Sequence, residues 1–154
     1  MWKWTPSWEQ WYRRALPAYW IYLFCATHLP RPELLVVKSD KRAHVIAFGL
    51  LAFLFWKFAE SYTRPLPRRF VWTALVAVGC YAALDEYLQQ FVRRTTCWED
   101  LLANWLGVAL VLAGLEAYRR YKIARRSIRT TVTKQVLTAG QTLSKSTSST
   151  TLQK

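Results

Sequence analysis

The chain is poor in the features that mark most soluble enzymes and binding domains. It has three cysteines, Cys25, Cys80 and Cys97, and no two are spaced as metal ligands or as a disulfide framework. No internal repeat is visible. A cleavable signal is not expected, because aromatic and charged residues precede the first apolar run and no small-residue cleavage site follows it. Acidic residues are scarce, nine against 22 Lys and Arg. In a soluble protein such a balance would point to nucleic acid. Here the basic residues flank apolar runs, which suits anionic lipid head groups, so no nucleic-acid partner is expected.

Large aromatics and apolar runs are what the chain has in abundance. Nine Trp and 53 % hydrophobic residues in 154 exceed what a soluble domain of this length carries. Trp and Tyr favour the membrane–water boundary, where an amphipathic ring satisfies both phases. Trp4, Trp8 and Trp11 recur at helical spacing and suit an interfacial stripe or an anchor for the first span. Apolar runs cover residues 15–29, 43–58, 70–88 and 101–115. The first is short for a span of about 20 residues. Adding Trp11 and Tyr12, with Arg13 and Arg14 snorkelling, makes it long enough.

In lipid the backbone must satisfy its own hydrogen bonds, and runs of this length do so as helices. The expected fold is therefore all-α, an integral membrane four-helix bundle. Residues 1–14 form an aromatic and basic interfacial segment, and 15–118 the four-helix domain. Residues 119–154 form a tail, first basic, then Ser/Thr-rich from Thr130 and largely disordered. Lys and Arg are in excess around the N-terminus, the middle turn and the C-terminus. Both termini are thus expected in the cytoplasm of a multi-pass protein of a bacterial cytoplasmic membrane.

Up-and-down helices bring particular polar residues to one end. Asp40 and His44 open the second helix, Asp85, Glu86 and Gln89 close the third, and Asp100 and Asn104 open the fourth. Helical spacing puts Asp40 with His44, Glu86 with Gln89, and Asp100 with Asn104 and Gly107, each set on one face. Gly107 has no side chain, so a neighbouring helix can approach there. Each residue has a plain reading too. Asp40 and Asp100 suit helix starts, Asn104 suits helix–helix contact, and Arg94 suits head-group anchoring. His28 reads as an interfacial polar residue rather than a ligand. Cys25 and Cys80 read as core residues, and Cys97 as a segment-end residue without special reactivity.

The combined pattern Asp40-Lys41-x-x-His44, Asp85-Glu86-x-x-Gln89, Arg94-Thr95 and Asp100-x-x-x-Asn104-x-x-Gly107 resembles the VanZ-like family of bacterial membrane proteins. The likeness runs from Ser39 to Gly114, with the segment before it fitting the family's first helix. The Trp-rich start and the tail fall outside it. One departure is Arg93, where many members have Pro or Gly; the family's arginine is matched to Arg94 by its spacing to Asp100.

The resemblance implies a four-helix membrane domain in the cell envelope, with a link to antibiotic resistance. The family's name-giver is associated with resistance to the glycopeptide teicoplanin, and remote similarity has been proposed to enzymes of phosphate-linked lipid head groups. On an enzymatic reading, membrane lipids surround the protein and the substrate is a phosphate-bearing lipid or polyprenol. Arg94 and Lys41 would hold the phosphate, with Asp40 beside them in the binding site. His44 or Glu86 would act as general base or acid, and Asp100 would orient His44 or hold a cation. Gln89 and Asn104 would donate to substrate oxygens. One histidine among carboxylates is compatible with Mg2+, but carboxylates at helix ends are common, and no metal or other cofactor is expected. Two other classes stand beside the enzyme. One is a non-catalytic binder that shields a surface lipid or cell-wall precursor. The other is a transporter component, disfavoured in a monomer by polar groups confined to one end.

Overall fold

The computed structural model describes residues 7–28, 41–92 and 98–150. Four α-helices run along the chain: α1 (Trp8–His28), α2 (Lys41–Glu60), α3 (Phe70–Gln89) and α4 (Trp98–Thr150), with a 3-10 turn, Gln90–Val92, after α3. The start of α1 is set by a capping box. Gln10 N–H donates to Ser7 Oγ at 3.4 Å while Ser7 N–H donates to Gln10 Oε1 at 3.3 Å, so two otherwise orphaned donors are satisfied. Glu99 and Asp100 occupy the first turn of α4, where the helix dipole favours negative charge. Trp2, Trp4, Asp40, Arg93, Arg94 and Cys97 lie outside the described residues.

The helices form an antiparallel bundle, and contacts at both ends fix its topology. At one end the last turn of α1 meets the last turn of α3, where Thr27 Oγ1 donates to Asp85 Oδ1 at 3.0 Å. At that same end the first turns of α2 and α4 meet through an ion pair between Lys41 and Glu99. At the opposite end Arg13 of α1 donates to the Ser61 hydroxyl and carbonyl just past α2. Its guanidinium also lies 4.0 Å from the Tyr62 ring centre, and Arg64 sits 3.9 Å from that of Trp8. These contacts tie the start of α1 to the α2–α3 turn. Charged hydrogen bonds contribute about 1.5–3 kcal/mol, and a stacked cation adds to that. Arg13→Ala should therefore lower stability by about 2 kcal/mol in a thermal unfolding measurement in detergent.

Phe48, Leu51 and Trp56 of α2, Ala74, Val78 and Ala82 of α3, Val108 and Leu112 of α4, and Leu16 and Leu23 of α1 make the core. Tyr81 joins three helices, with its ring 4.9 Å from Trp20 of α1 and 6.0 Å from Phe48 of α2. Two glycines permit the closest approaches. A Cβ at Gly107 would collide with the Val45 carbonyl oxygen of α2, and one at Gly79 would stand 2.7 Å from the Trp105 ring.

Large apolar side chains also cover much of the outer surface, with Ile21, Ile46, Trp72, Val76, Leu102 and Leu110 all exposed. Among the described residues, α2, α3 and residues 98–127 of α4 are long and apolar enough to cross a membrane. Helix α1 carries Glu9, Arg13 and Arg14 in its first half and falls short of that measure, yet it packs in the bundle through Leu16, Leu23 and a Tyr19 hydroxyl bond to the Ala47 carbonyl. Cys25 and Cys80 are exposed and free, not core residues as expected. The reason is physical: a helix in lipid is apolar all round, so an apolar neighbourhood in sequence does not mark the buried face.

The chain divides into two units, Met1–Leu115 and Glu116–Lys154. In the second, Glu116 pairs with Arg119 and Arg120, and Lys122, Arg125, Arg126 and Arg129 share a strongly basic helical face. Composition predicts disorder from Thr130, whereas the backbone of α4 is helical to Thr150. That stretch has no proline and a single glycine, Gly140. Extending a helix already nucleated upstream needs only weak propensity.

Candidate functional site

Two polar clusters occupy one end of the bundle. The first bridges α2 and α4. Asp100 and Asn104, four residues apart, face the same way on α4, and His44 lies one turn into α2. Gly107 lets the two backbones close up one turn further in, which brings the imidazole within reach. His44 Nδ1 is 3.1 Å from Asn104 Oδ1, and Nε2 is 3.9 Å from Asp100 Oδ2. The Asn104 oxygen only accepts, so Nδ1–H is the donor in that bond. Asn104 is fully buried, and its Nδ2 meets no partner among the described residues. A buried amide donor left over is rare in folded proteins.

The second cluster bridges α1 and α3 and is built around Asp85. Its side chain is fully enclosed. Thr27 Oγ1 and Gln89 Nε2 donate to its two oxygens at 3.0 and 3.1 Å, and the Tyr81 hydroxyl approaches at 3.5 Å. His28 Nδ1 lies 3.7 Å from the same carboxylate. Glu86, next to Asp85 in the last turn of α3, is buried as well.

The structure therefore brings three of the expected residues together directly, His44, Asp100 and Asn104. Gln89, expected to donate to a substrate, gives one of its two amide protons to Asp85. Lys41 is exposed at the rim and paired with Glu99. Asp40 and Arg94, assigned to substrate binding, fall outside the described residues. Sequence reasoning missed Thr27, His28 and Tyr81. The available signal was topological, because the last turn of α1 must lie at the same end as the last turn of α3. Among the described residues, no three His, Cys, Asp or Glu side chains converge as metal ligands would.

Outside the first cluster, an open groove of about 570 Å³ follows the α2–α4 seam. Lys41, Arg42 and Glu99 stand at its mouth, and Val45, Ile46, Leu102, Ala103 and Leu106 line it. A charged mouth over an apolar trough matches an amphiphile in both chemistry and direction.

An antiparallel helical bundle with long apolar helices and buried ionisable groups at one end is a polytopic membrane protein with a polar cluster at that end of the bundle. Comparison with known families places it further. The family model described as VanZ/LLP1 matches residues 2–118, so the chain belongs to the VanZ/LLP1 family. The match starts at residue 2, so the Trp-rich segment, expected to lie outside the likeness, falls within it. No curated protein and no solved structure matches the chain.

Proposed function

We propose that this protein acts on the phosphate-linked head group of a lipid or polyprenol at the outer face of the bacterial cytoplasmic membrane, with both termini in the cytoplasm. One observation carries the reading: His44, Asp100 and a fully buried Asn104 with a spare amide donor meet on the α2–α4 seam, whose outer groove has an apolar wall and a mouth of Lys41, Arg42 and Glu99. The groove would take the upper part of a hydrocarbon chain, and Lys41, Arg42 and Arg94 would attract the phosphate. Asn104 Nδ2 would donate to a phosphoryl oxygen as charge develops on it. His44, oriented by Asp100, and the buried Glu86 would move protons to and from the reacting oxygens. Through such a reaction the protein would alter envelope composition, and with it susceptibility to glycopeptides.

Orientation follows from the excess of Lys and Arg near the N-terminus, the α2–α3 turn and the segment after Glu116. The test compares the lipids of cells making the wild-type protein with those of cells making Glu86→Gln at equal membrane levels. A polar lipid or polyprenyl phosphate should change in abundance with the wild type alone. Identical lipid profiles would remove the enzymatic reading. A phenotype retained by His44→Ala would instead favour a non-catalytic binder.

A further inference from the structure

The last turn of α1 holds an imidazole in an arrangement that spacing alone does not reveal. His28 Nδ1 lies 3.0 Å from the Phe24 carbonyl oxygen and 2.9 Å from Thr27 Oγ1. A carbonyl oxygen only accepts, so in the neutral ring Nδ1 carries the proton. Thr27 has one hydroxyl proton, and the Asp85 carboxylate at 3.0 Å is the strongest acceptor it reaches. Thr27 Oγ1 also lies 3.0 and 3.1 Å from the Leu23 and Phe24 carbonyls, so the one Nδ1 proton is shared between the Phe24 carbonyl and Thr27 Oγ1, while the hydroxyl proton is drawn to Asp85. Gln89 holds the far oxygen of Asp85, and the Phe24 ring stacks on the imidazole at 4.1 Å, which fixes its plane.

With Nδ1 protonated, Nε2 presents a bare lone pair. That atom is buried and has no hydrogen-bond partner among the described residues. A purely structural histidine would normally satisfy both nitrogens. A carboxylate-backed imidazole with one nitrogen anchored and the other unpartnered has the construction of a general base.

We infer that His28 is a proton-accepting catalytic residue of the membrane-rim site, with Thr27 and Asp85 as the groups that position it. This rests on the proposed action at a phosphate-linked head group. Nε2 takes the proton of an attacking hydroxyl, from water or an alcohol, so that O–H bond breaks as the oxygen bonds to phosphorus. The bridging P–O bond then breaks, and its electron pair stays on the departing oxygen. The departing oxygen takes the proton back from Nε2, and the ring ends neutral as it began. His44 and Glu86 keep the roles proposed for them above, and His28 adds a proton acceptor from the α1–α3 side of the same end of the bundle.

Full-length protein in vesicles of the polar lipids of its own host serves as the test system, with head-group turnover followed by phosphorus-31 NMR and mass spectrometry. His28→Gln can still donate to the Phe24 carbonyl but has no base, and it should lose activity about a hundredfold or more. His28→Gly should be equally impaired and should recover at least about tenfold on adding imidazole, whereas Glu86→Gln should not respond. Nitrogen-15 spectra are simple because the chain has two histidines. They should show His28 protonated at Nδ1 and bare at Nε2.

A His28→Gln protein within about threefold of wild type, in the same vesicles where Glu86→Gln is inactive, overturns the inference and leaves the proposed function standing. A His28→Gly protein that imidazole fails to restore, or a His28 ring protonated at Nε2, also overturns it. Wild-type protein that turns over none of the vesicle lipids removes the proposed function and this inference together.

Discussion

Gly107→Ala should destabilise the bundle by about 3 kcal/mol, at the upper end of what overpacking costs, and Gly107→Leu should leave no folded protein in the membrane. The added Cβ at position 107 meets the Val45 backbone, not a flexible side chain that could swing away. The α2–α4 seam can accept it only by separating, and separation pulls His44 from Asn104 and Asp100. Stability and site geometry should therefore fail together. Gly114 is the control, because a Cβ there meets nothing within 4 Å. Gly114→Ala should be neutral or stabilising by up to about 1 kcal/mol through the helix propensity of alanine. Thermal unfolding of both variants in one detergent separates the two outcomes. Equal midpoints would mean that α2 and α4 do not touch at Gly107.

The architecture was legible because lipid simplifies the problem. Runs as long and apolar as 43–58 and 70–88 have one way to satisfy their backbones, and they appear as α2 and α3 within a few residues of the expected bounds. The α2–α4 half of the site was legible for a related reason. Asp100, Asn104 and Gly107 fall on one helical face, and a glycine on a polar stripe announces a close neighbour. The remainder depended on information that spacing does not hold. Rotation of a helix about its own axis leaves little trace when every face is apolar, so Cys25 and Cys80 were placed in the core and lie outside it. Pairing between α1 and α3 hid behind the ordinary look of Thr27-His28 at a helix end, because the partner, Asp85, is far away in sequence. Gln89 illustrates a third limit. Its position in the last turn of α3 was legible, but an amide has several possible partners, and spacing did not show that one of its protons goes to Asp85.

Asn104→Leu should give a stable protein that no longer works. Asn104 is fully buried; its oxygen accepts from His44 Nδ1 at 3.1 Å, and its Nδ2 donates to nothing among the described residues. An orphaned buried donor costs about 1–3 kcal/mol, and a neutral hydrogen bond contributes about 1 kcal/mol. Leucine has nearly the same volume, removes the orphaned donor and forfeits one bond from His44. The imidazole can move its proton to Nε2, which already faces Asp100. These effects oppose each other, so unfolding stability should stay within about 1 kcal/mol of wild type. Function has no such compensation. If Nδ2 meets a phosphoryl oxygen in the transition state, deleting it should slow head-group turnover by about a hundredfold to a thousandfold, as loss of one preorganised donor does elsewhere. Asn104→Asp keeps the acceptor, replaces the donor with a second acceptor and sets a like charge one turn from Asp100, so it should be at least as inactive. The two measurements decide between roles. A leucine variant that unfolds assigns Asn104 to helix packing, and one that is stable and fully active shows that its amide donor never meets the substrate.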